Sequence, residues 1–156
     1  MQNGKHPKRK AIEGMKELKV KYIRDVMKLE QFEVGDWIDL RCAEDLYLQK
    51  GKVYAIPLGV AMELPEGYEA IIAPRSSTFG RLGLLAANSI GVIDEAYKGD
   101  GDEWHFLARP TRDTYVWKNE RICQFRIIEH QPKLQLVEVE TLDNENRGGI
   151  GSTGRV

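Results

Sequence analysis

Short strand-like runs, each closed by turn chemistry, constrain this chain more than any other feature of its sequence. Runs rich in branched and aromatic residues occupy 19–23, 37–41, 46–48, 54–60, 68–73, 90–93, 104–108, 115–117, 121–128 and 134–139. At such lengths an alternating side-chain pattern builds strands. Lys50-Gly51, Pro65-Glu66-Gly67, the glycines and aspartates of 98–102, and Arg109-Pro110 punctuate them as turns. No helices alternate with the runs as a parallel sheet would need, so an antiparallel sandwich or barrel is expected. The fold class is all-β, with at most one short helix in the body. Spacing at 11–18 would put Ile12, Met15 and Leu18 on one helical face. A further helical turn is expected at 78–82, after the Ser76-Ser77 pair.

A chain of 156 residues makes one domain of ordinary size. It can bury roughly 70% of its extended surface without disulfides or a structural metal. Cys42 and Cys123 lie far apart, match no ligand spacing, and read as buried thiols of a reducing compartment. The longest apolar runs, such as 84–87, fall far short of the roughly 20 residues that cross a bilayer. The charged stretch from Lys5 to Lys10 has no apolar segment behind it, so no secretory signal is expected and the chain is placed in the cytoplasm, away from membranes.

Charge is uneven. Residues 1–24 hold eight Lys/Arg against two Glu, while the remainder carries 15 basic and 22 acidic residues. An acidic body argues against a nucleic-acid surface, leaving residues 1–24 as the one stretch suited to such a contact, or a solvated extension. The chain divides into a basic extension at 1–18, a β domain at 19–140, and a Gly-rich arm at 141–156.

Four segments carry chemistry. The arm holds glycines 148, 149, 151 and 154 with Arg147, Ser152 and Thr153 among them. It is either a frayed terminus or a clamp whose N–H groups, hydroxyls and guanidinium wrap phosphate oxygens on binding. Pro74-Arg75-Ser76-Ser77 joins a strand to a helical turn, where it serves as an anion site or simply as a cap. In 91–99, Asp94 ends an apolar strand at a rim, placed to hold a water and take its proton, and Tyr97 offers a flat wall for a ring. A turn Asp and a core Tyr are the plain alternative. In Arg121-Ile122-Cys123-Gln124, alternation puts Gln124 on the face of Ile122, where its amide needs a main-chain or ligand partner. Asp39 is likewise a carboxylate flanked by apolar residues. Together these describe a site for a polyanion bearing a flat ring.

In order and spacing, these segments resemble the five motifs of the trimeric dUTPases (dUTP diphosphatases), from about Val34 to Gly154. The resemblance implies a jelly-roll-like distorted β barrel with a flexible C-terminal arm, and a homotrimer that exchanges arms between subunits. It implies magnesium-dependent hydrolysis of dUTP to dUMP and pyrophosphate, which limits uracil incorporation into DNA. By the same resemblance, Asp94 is the general base that activates water against the α-phosphorus. Asn88 and the backbone around it, Gly91 included, read uracil, and Tyr97 stacks under the deoxyribose and excludes a 2′-hydroxyl. Arg75, Ser76, Ser77 and Gln124 bind phosphate oxygens, Arg121 supports the site and subunit contacts, and Arg147, Ser152 and Thr153 close on the γ-phosphate. Magnesium has no direct protein ligand, and Asp39 orders water around an ion held by the phosphates.

The sequence departs from the family pattern in three places. The first motif reads Asp36-Trp37-Ile38-Asp39-Leu40 where the family has Ala-Gly before its core residues. Cys123 stands for a common Ala. The arm is shortened and has Ile150 where a Phe usually stacks on uracil, so either the lid is absent or another ring supplies it, and Trp104 or His105 is expected to cap the base instead.

Two alternatives stand beside the diphosphatase. A dCTP deaminase shares the fold but requires a Glu at the position of Trp104; Glu103 is adjacent, and a one-residue shift along a strand would point it to the opposite face. A non-catalytic trimeric nucleotide-binding regulator would put the basic residues 1–24 to use.

Overall fold

The computed structural model describes residues 13–149. Among them are eleven strands and one helix: β1 (Lys19–Tyr22), β2 (Ile38–Arg41), β3 (Leu46–Leu48), β4 (Tyr54–Pro57), β5 (Val60–Glu63), β6 (Tyr68–Pro74), α1 (Thr78–Leu82), β7 (Leu84–Ala86), β8 (Gly91–Ile93), β9 (His105–Pro110), β10 (Thr114–Val116) and β11 (Arg121–Glu129). They form a four-stranded sheet in the order β2-β11-β6-β8, a three-stranded sheet β4-β9-β7, and the pairs β1-β5 and β3-β10. Every pairing is antiparallel. The chain is all-β, as the run spacing demands, and its inward side chains meet in one core that includes Leu40, Ile56, Ile72, Phe106, Ile122 and Phe125. β9 shows the rule most cleanly, with Phe106, Ala108 and Pro110 buried and His105, Leu107 and Arg109 outward.

Where the expected runs fail, a local cause is visible. The single run at 54–60 is two strands, β4 and β5, because the chain turns a corner at Gly59. That residue sits at φ +72, and a Cβ there would run into the Val26 side chain. Its carbonyl accepts from Ile23 N at 2.8 Å and its N–H donates to the Glu103 carboxylate at 2.9 Å, so the corner is tied on both sides. Gly59→Ala is expected to destabilise the fold by about 2–4 kcal/mol, combining a left-handed backbone with overpacking. A thermal melt at the wild-type Tm would contradict this.

The short strand β7 escaped the sequence reading, since Leu84-Leu85-Ala86 is too brief for a period. The run at 134–139 is not a strand: Leu134, Leu136, Val137 and Val139 are exposed, Leu136 to 93%. Nothing else in the chain pairs with this segment among the described residues. Of the helical face at 11–18, Ile12 lies outside the described residues and residues 13–18 are not helical. Gly14 turns the chain there at φ +82, a conformation no helix contains.

The charge asymmetry is partly internal. Lys19, Lys21 and Arg24 pair with Glu63, Asp100 and Glu103 at 3.0, 3.1 and 2.8 Å. Seven of the eight basic residues of 1–24 are therefore either outside the described residues or already matched to the acidic body. No helix among the described residues is long and apolar enough to cross a membrane.

Candidate active site

β8 carries Asp94 to the rim of a cavity of about 450 Å³, lined in part by Asn88, Gly91, Asp94, Tyr97, His105 and Ile72. The strand lies close against β6, with Ile72 opposite Gly91. A Cβ on Gly91 would stand 3.1 Å from the Ile72 Cβ, so glycine permits that approach. Asn88 reaches the cavity from the turn between β7 and β8, where Ser89 holds φ +64, a conformation a non-glycine residue adopts at a cost.

Asp94 is exposed, and its Oδ1 accepts the Ala96 N–H at 2.7 Å. Its main-chain carbonyl accepts the Tyr97 N–H at 3.0 Å, closing a tight turn. Oδ2 has no hydrogen-bond partner among the described residues. One carboxylate oxygen is thus oriented by the backbone while the other faces outward, the arrangement a proton acceptor needs. Tyr97 stands beside it with its ring half exposed and its hydroxyl donating to the Glu103 carbonyl at 3.0 Å. The ring can therefore present a fixed face. His105 opens β9 on the exposed side, its Nδ1 2.9 Å from the same Glu103 carbonyl.

One expectation fails here. Trp104 is fully buried, edge-on to Phe125 with ring centroids 5.1 Å apart. Its neighbours along the alternating strand put it inside, so it packs the core and does not cap a base from this position. His105, one residue on, is the one of the pair that faces the cavity. Glu103 and Trp104 point to opposite sides: Trp104 enters the core, while Glu103 lies on the cavity side with His105. It borders the cavity, but its carboxylate is engaged by Arg24 Nε at 2.8 Å and Gly59 N at 2.9 Å.

A second cleft, about 410 Å³, gathers Asp39, Arg75, Ser76, Arg121 and Gln124 at the other end of the four-stranded sheet. Arg75 Nε lies 2.8 Å from Asp39 Oδ1, and Arg121 Nη1 3.7 Å from Asp39 Oδ2. Glu30 also holds Arg121 Nη2 at 3.2 Å, so the two guanidinium groups are balanced by two carboxylates, and what the cleft offers a polyanion is their fork of N–H donors. Gln124 is paired with Asp39 across β2 and donates its amide to the Pro74 carbonyl at 3.1 Å. A β-bulge between Arg121 and Cys123 breaks the alternation assumed from sequence. Ile122 and Cys123 are consequently both buried, and Gln124 lies on the open face instead of beside Ile122.

Ser76 is exposed, and Ser77 occupies the cap position of α1 without a side-chain cap bond. Capping therefore does not consume either hydroxyl. With five residues, α1 adds little dipole to the site. Sequence reasoning stopped at Ser77 and missed Thr78, whose buried hydroxyl accepts the Arg75 N–H at 2.8 Å and donates to the Ile122 carbonyl at 2.9 Å. That pair of bonds fixes the backbone from which Arg75 projects. A threonine directly after the serine pair was the available signal.

Arg147 is exposed and lines neither cleft, and Ser152 and Thr153 lie outside the described residues. Burial pushes both thiols up, Cys42 to about 11 and Cys123 well above its ordinary range, so they pack as neutral groups and offer no nucleophile. No cluster of three or more His, Cys, Asp or Glu able to hold a metal occurs among the described residues.

A single chain does not bring the two clefts together. Residue 94 follows the Ile93 that pairs with Ala70, so it lies beside Glu69, whereas Arg75 leaves the far end of β6. Six residues of strand separate those points, roughly 20 Å at the ordinary strand rise.

Comparison with known proteins bears on this geometry. Residues 37–154 match the dUTPase family model. An SPbeta prophage-derived deoxyuridine 5′-triphosphate nucleotidohydrolase of Bacillus subtilis strain 168 is 53% identical over 139 residues, covering 88% of this chain and 98% of that protein. The deoxyuridine 5′-triphosphate nucleotidohydrolase of Hydrogenobaculum sp. strain Y04AAS1 is 37% identical over 120 residues, covering 75% of this chain and 82% of its own. Among solved structures, the Staphylococcus bacteriophage 80alpha dUTPase with dUPNHPP superposes with a TM-score of 0.75 at 22% identity, over 90% of this chain and 99% of that one. A mutant dUTPase from phage phi11 of S. aureus, described with a structural Mg(II) ion, gives 0.71 at 17% identity, over 83% and 100%. These structural likenesses speak for the fold.

Proposed function

The chain belongs to the dUTPase family, and on that premise we propose that it hydrolyses dUTP to dUMP and pyrophosphate with Asp94 as the base. The observation that carries the reading is the cavity beneath Asp94. It has a ring-sized volume, a tyrosine wall at Tyr97, a polar turn at Asn88, and an outward carboxylate oxygen at its rim. Uracil enters against the Asn88 turn and the open backbone at Gly91. The deoxyribose lies over Tyr97, whose hydrogen-bonded ring leaves no slack for a 2′-hydroxyl. Asp94 takes a proton from a water as its oxygen bonds to the α-phosphorus. The bond from that phosphorus to the bridging oxygen breaks, and pyrophosphate leaves with the electron pair.

The phosphates require cationic and hydroxyl groups that the Asp94 cavity lacks and the second cleft holds. We assign Arg75, Ser76, Ser77 and Gln124 to them, supplied by a neighbouring copy, with Arg121 steadying Asp39. The roughly 20 Å between the clefts supports a site shared between chains, and so does the exposed apolar segment 134–139, whose alternating pattern another copy could complete. A homotrimer with exchanged arms satisfies both, Arg147, Ser152 and Thr153 closing on the γ-phosphate. Magnesium fits a site of this kind as an ion carried by the triphosphate, since it dehydrates reluctantly and binds phosphate oxygens while keeping its waters. There it would neutralise phosphate charge, with Asp39 the carboxylate placed to order its waters. Free buried thiols are compatible with a reducing, cytoplasmic setting.

His105 takes the capping role left open by Ile150. His105→Ala should raise the KM for dUTP about threefold to tenfold, the scale of one lost stacking contact; an unchanged KM removes His105 from the site. The overall test is product analysis on dUTP and dCTP in parallel with magnesium. Pyrophosphate and dUMP from dUTP alone is expected. Ammonia from dCTP would establish a deaminase, against which the capture of the Glu103 carboxylate by Arg24 and Gly59 already argues. No turnover of either substrate would favour the regulator.

A further inference from the structure

One ion pair outside the expected motifs converges on the nucleoside cavity from an unexpected direction. Arg24 follows β1, some seventy residues before the Asp94 turn. Its backbone N–H contacts the Gly59 carbonyl at 3.3 Å, which places its side chain beside the Gly59 corner. From there the guanidinium grips Glu103 with two bonds, Nε to Oε2 at 2.8 Å and Nη2 to Oε1 at 3.0 Å. Oε2 also takes the Gly59 N–H at 2.9 Å. The Glu103 side chain is only 11% exposed while that of Arg24 is 40% exposed, so the carboxylate is enclosed and the guanidinium forms its outer lid.

The His105 ring meets Glu103 at both ends, its Nε2 standing 3.9 Å from Oε1, and the second anchor is the Glu103 main-chain carbonyl. It accepts the Tyr97 hydroxyl at 3.0 Å and lies 2.9 Å from His105 Nδ1. The two aromatic side chains assigned to opposite sides of the nucleoside therefore hang on one carbonyl oxygen, and the position of that oxygen is set by the side chain of the same residue. We propose that Arg24 and Glu103 form a positioning clamp that holds Tyr97 and His105 at the spacing the deoxynucleoside requires, making the pair a determinant of sugar selectivity. This rests on the reading of the cavity as a dUTP site. Neither residue touches substrate. The clamp acts by restricting where the Glu103 carbonyl can sit, and a bidentate fork restricts it far more than a single point charge would.

The test compares Arg24→Met, Arg24→Lys and Glu103→Gln with the wild type, using dUTP and UTP as substrates. Arg24→Met is the primary variant because the Arg24 side chain is 40% exposed and Met keeps its aliphatic stem while removing the fork. Expected is a rise in KM for dUTP of about threefold to tenfold, larger than any fall in kcat, with the dUTP-over-UTP preference in kcat/KM reduced by a similar factor. Arg24→Lys should recover part of the preference. The double variant Arg24→Met/Glu103→Gln should change the dUTP-over-UTP preference no more than Glu103→Gln alone, because the two residues act on that preference through their shared fork, and the separate Arg24–Glu44 contact at 3.4 Å lies outside it. A purely structural pair would lower Tm and leave the sugar preference unchanged; that result in a soluble Arg24→Met protein overturns the clamp. A wild type that releases no pyrophosphate from dUTP would fail the site reading itself, and the clamp's role with it, which is a distinct outcome read in the control.

Discussion

Asp94→Asn should lower kcat for dUTP by about 10²-fold or more while leaving the nucleotide bound. The expectation follows from how Asp94 is held. Its Oδ1 is tied to the Ala96 N–H at 2.7 Å, and an asparagine oxygen can keep that bond. What asparagine places outward is an amide N–H₂, which donates and cannot accept a proton from water. Geometry is preserved and the proton acceptor is lost. Titration calorimetry with a non-hydrolysable dUTP analogue should give a Kd close to wild type. Retention of more than a tenth of wild-type kcat would show that another group takes the proton. The same variant also tests the shared site. When Asp94→Asn and Arg75→Ala chains are unfolded, mixed and refolded together, mixed oligomers should regain turnover that neither variant has alone, because some sites then draw Asp94 and Arg75 from different intact copies. Absence of any recovery would place both groups in the same chain's site, against the 20 Å separation along β6 (roughly, from strand rise).

Removing residues 146–156 should cut kcat/KM for dUTP by about 10²-fold or more and shift Tm by no more than about 2 °C. The asymmetry has a physical basis. Residues 141–149 are exposed and contribute nothing to the core, so their loss exposes little apolar surface. Arg147, Ser152 and Thr153 supply charge-assisted and hydroxyl hydrogen bonds to phosphate, and each such bond to an ionised group is worth about 1.5–3 kcal/mol. Two of them account for the predicted loss. Full turnover by the truncated protein would remove the arm from the mechanism, and a large fall in Tm would give it a packing role instead.

Much of the fold was legible because strands announce themselves locally. The run 105–110 alternates buried and exposed side chains residue by residue, and 123–126 alternates buried and half-buried ones. What defeated the reading were places where one backbone feature resets the period. At Gly59 a positive φ divides one run into two strands, and at Ile122 a bulge inserts a residue and puts Gln124 on the open face. The run at 134–139 has the pattern of a strand but no partner among the described residues, and a period carries no information about what will pair with it.

The candidate site was legible in its chemistry and not in its assembly. Asp94, Tyr97, Asn88 and Gly91 surround one cavity because they fall within ten residues of one turn, so local sequence alone keeps them neighbours. Arg75, Ser76, Gln124 and Asp39 converge because β2, β11 and β6 are adjacent in the sheet, and residue type at strand ends was enough to suspect them. The choice between Trp104 and His105 depended on which of two adjacent side chains the core would take, and the larger, more apolar ring was buried against Phe125. The grip of Arg24 on Glu103 joins residues far apart in the chain through a corner at Gly59 that no local pattern announces. Sequence determines local geometry and the chemical groups available, since both depend on neighbours a few residues away. Only the tertiary structure could decide which distant groups meet, because that is set by packing one shared core, where every side chain taken inward turns its neighbour outward.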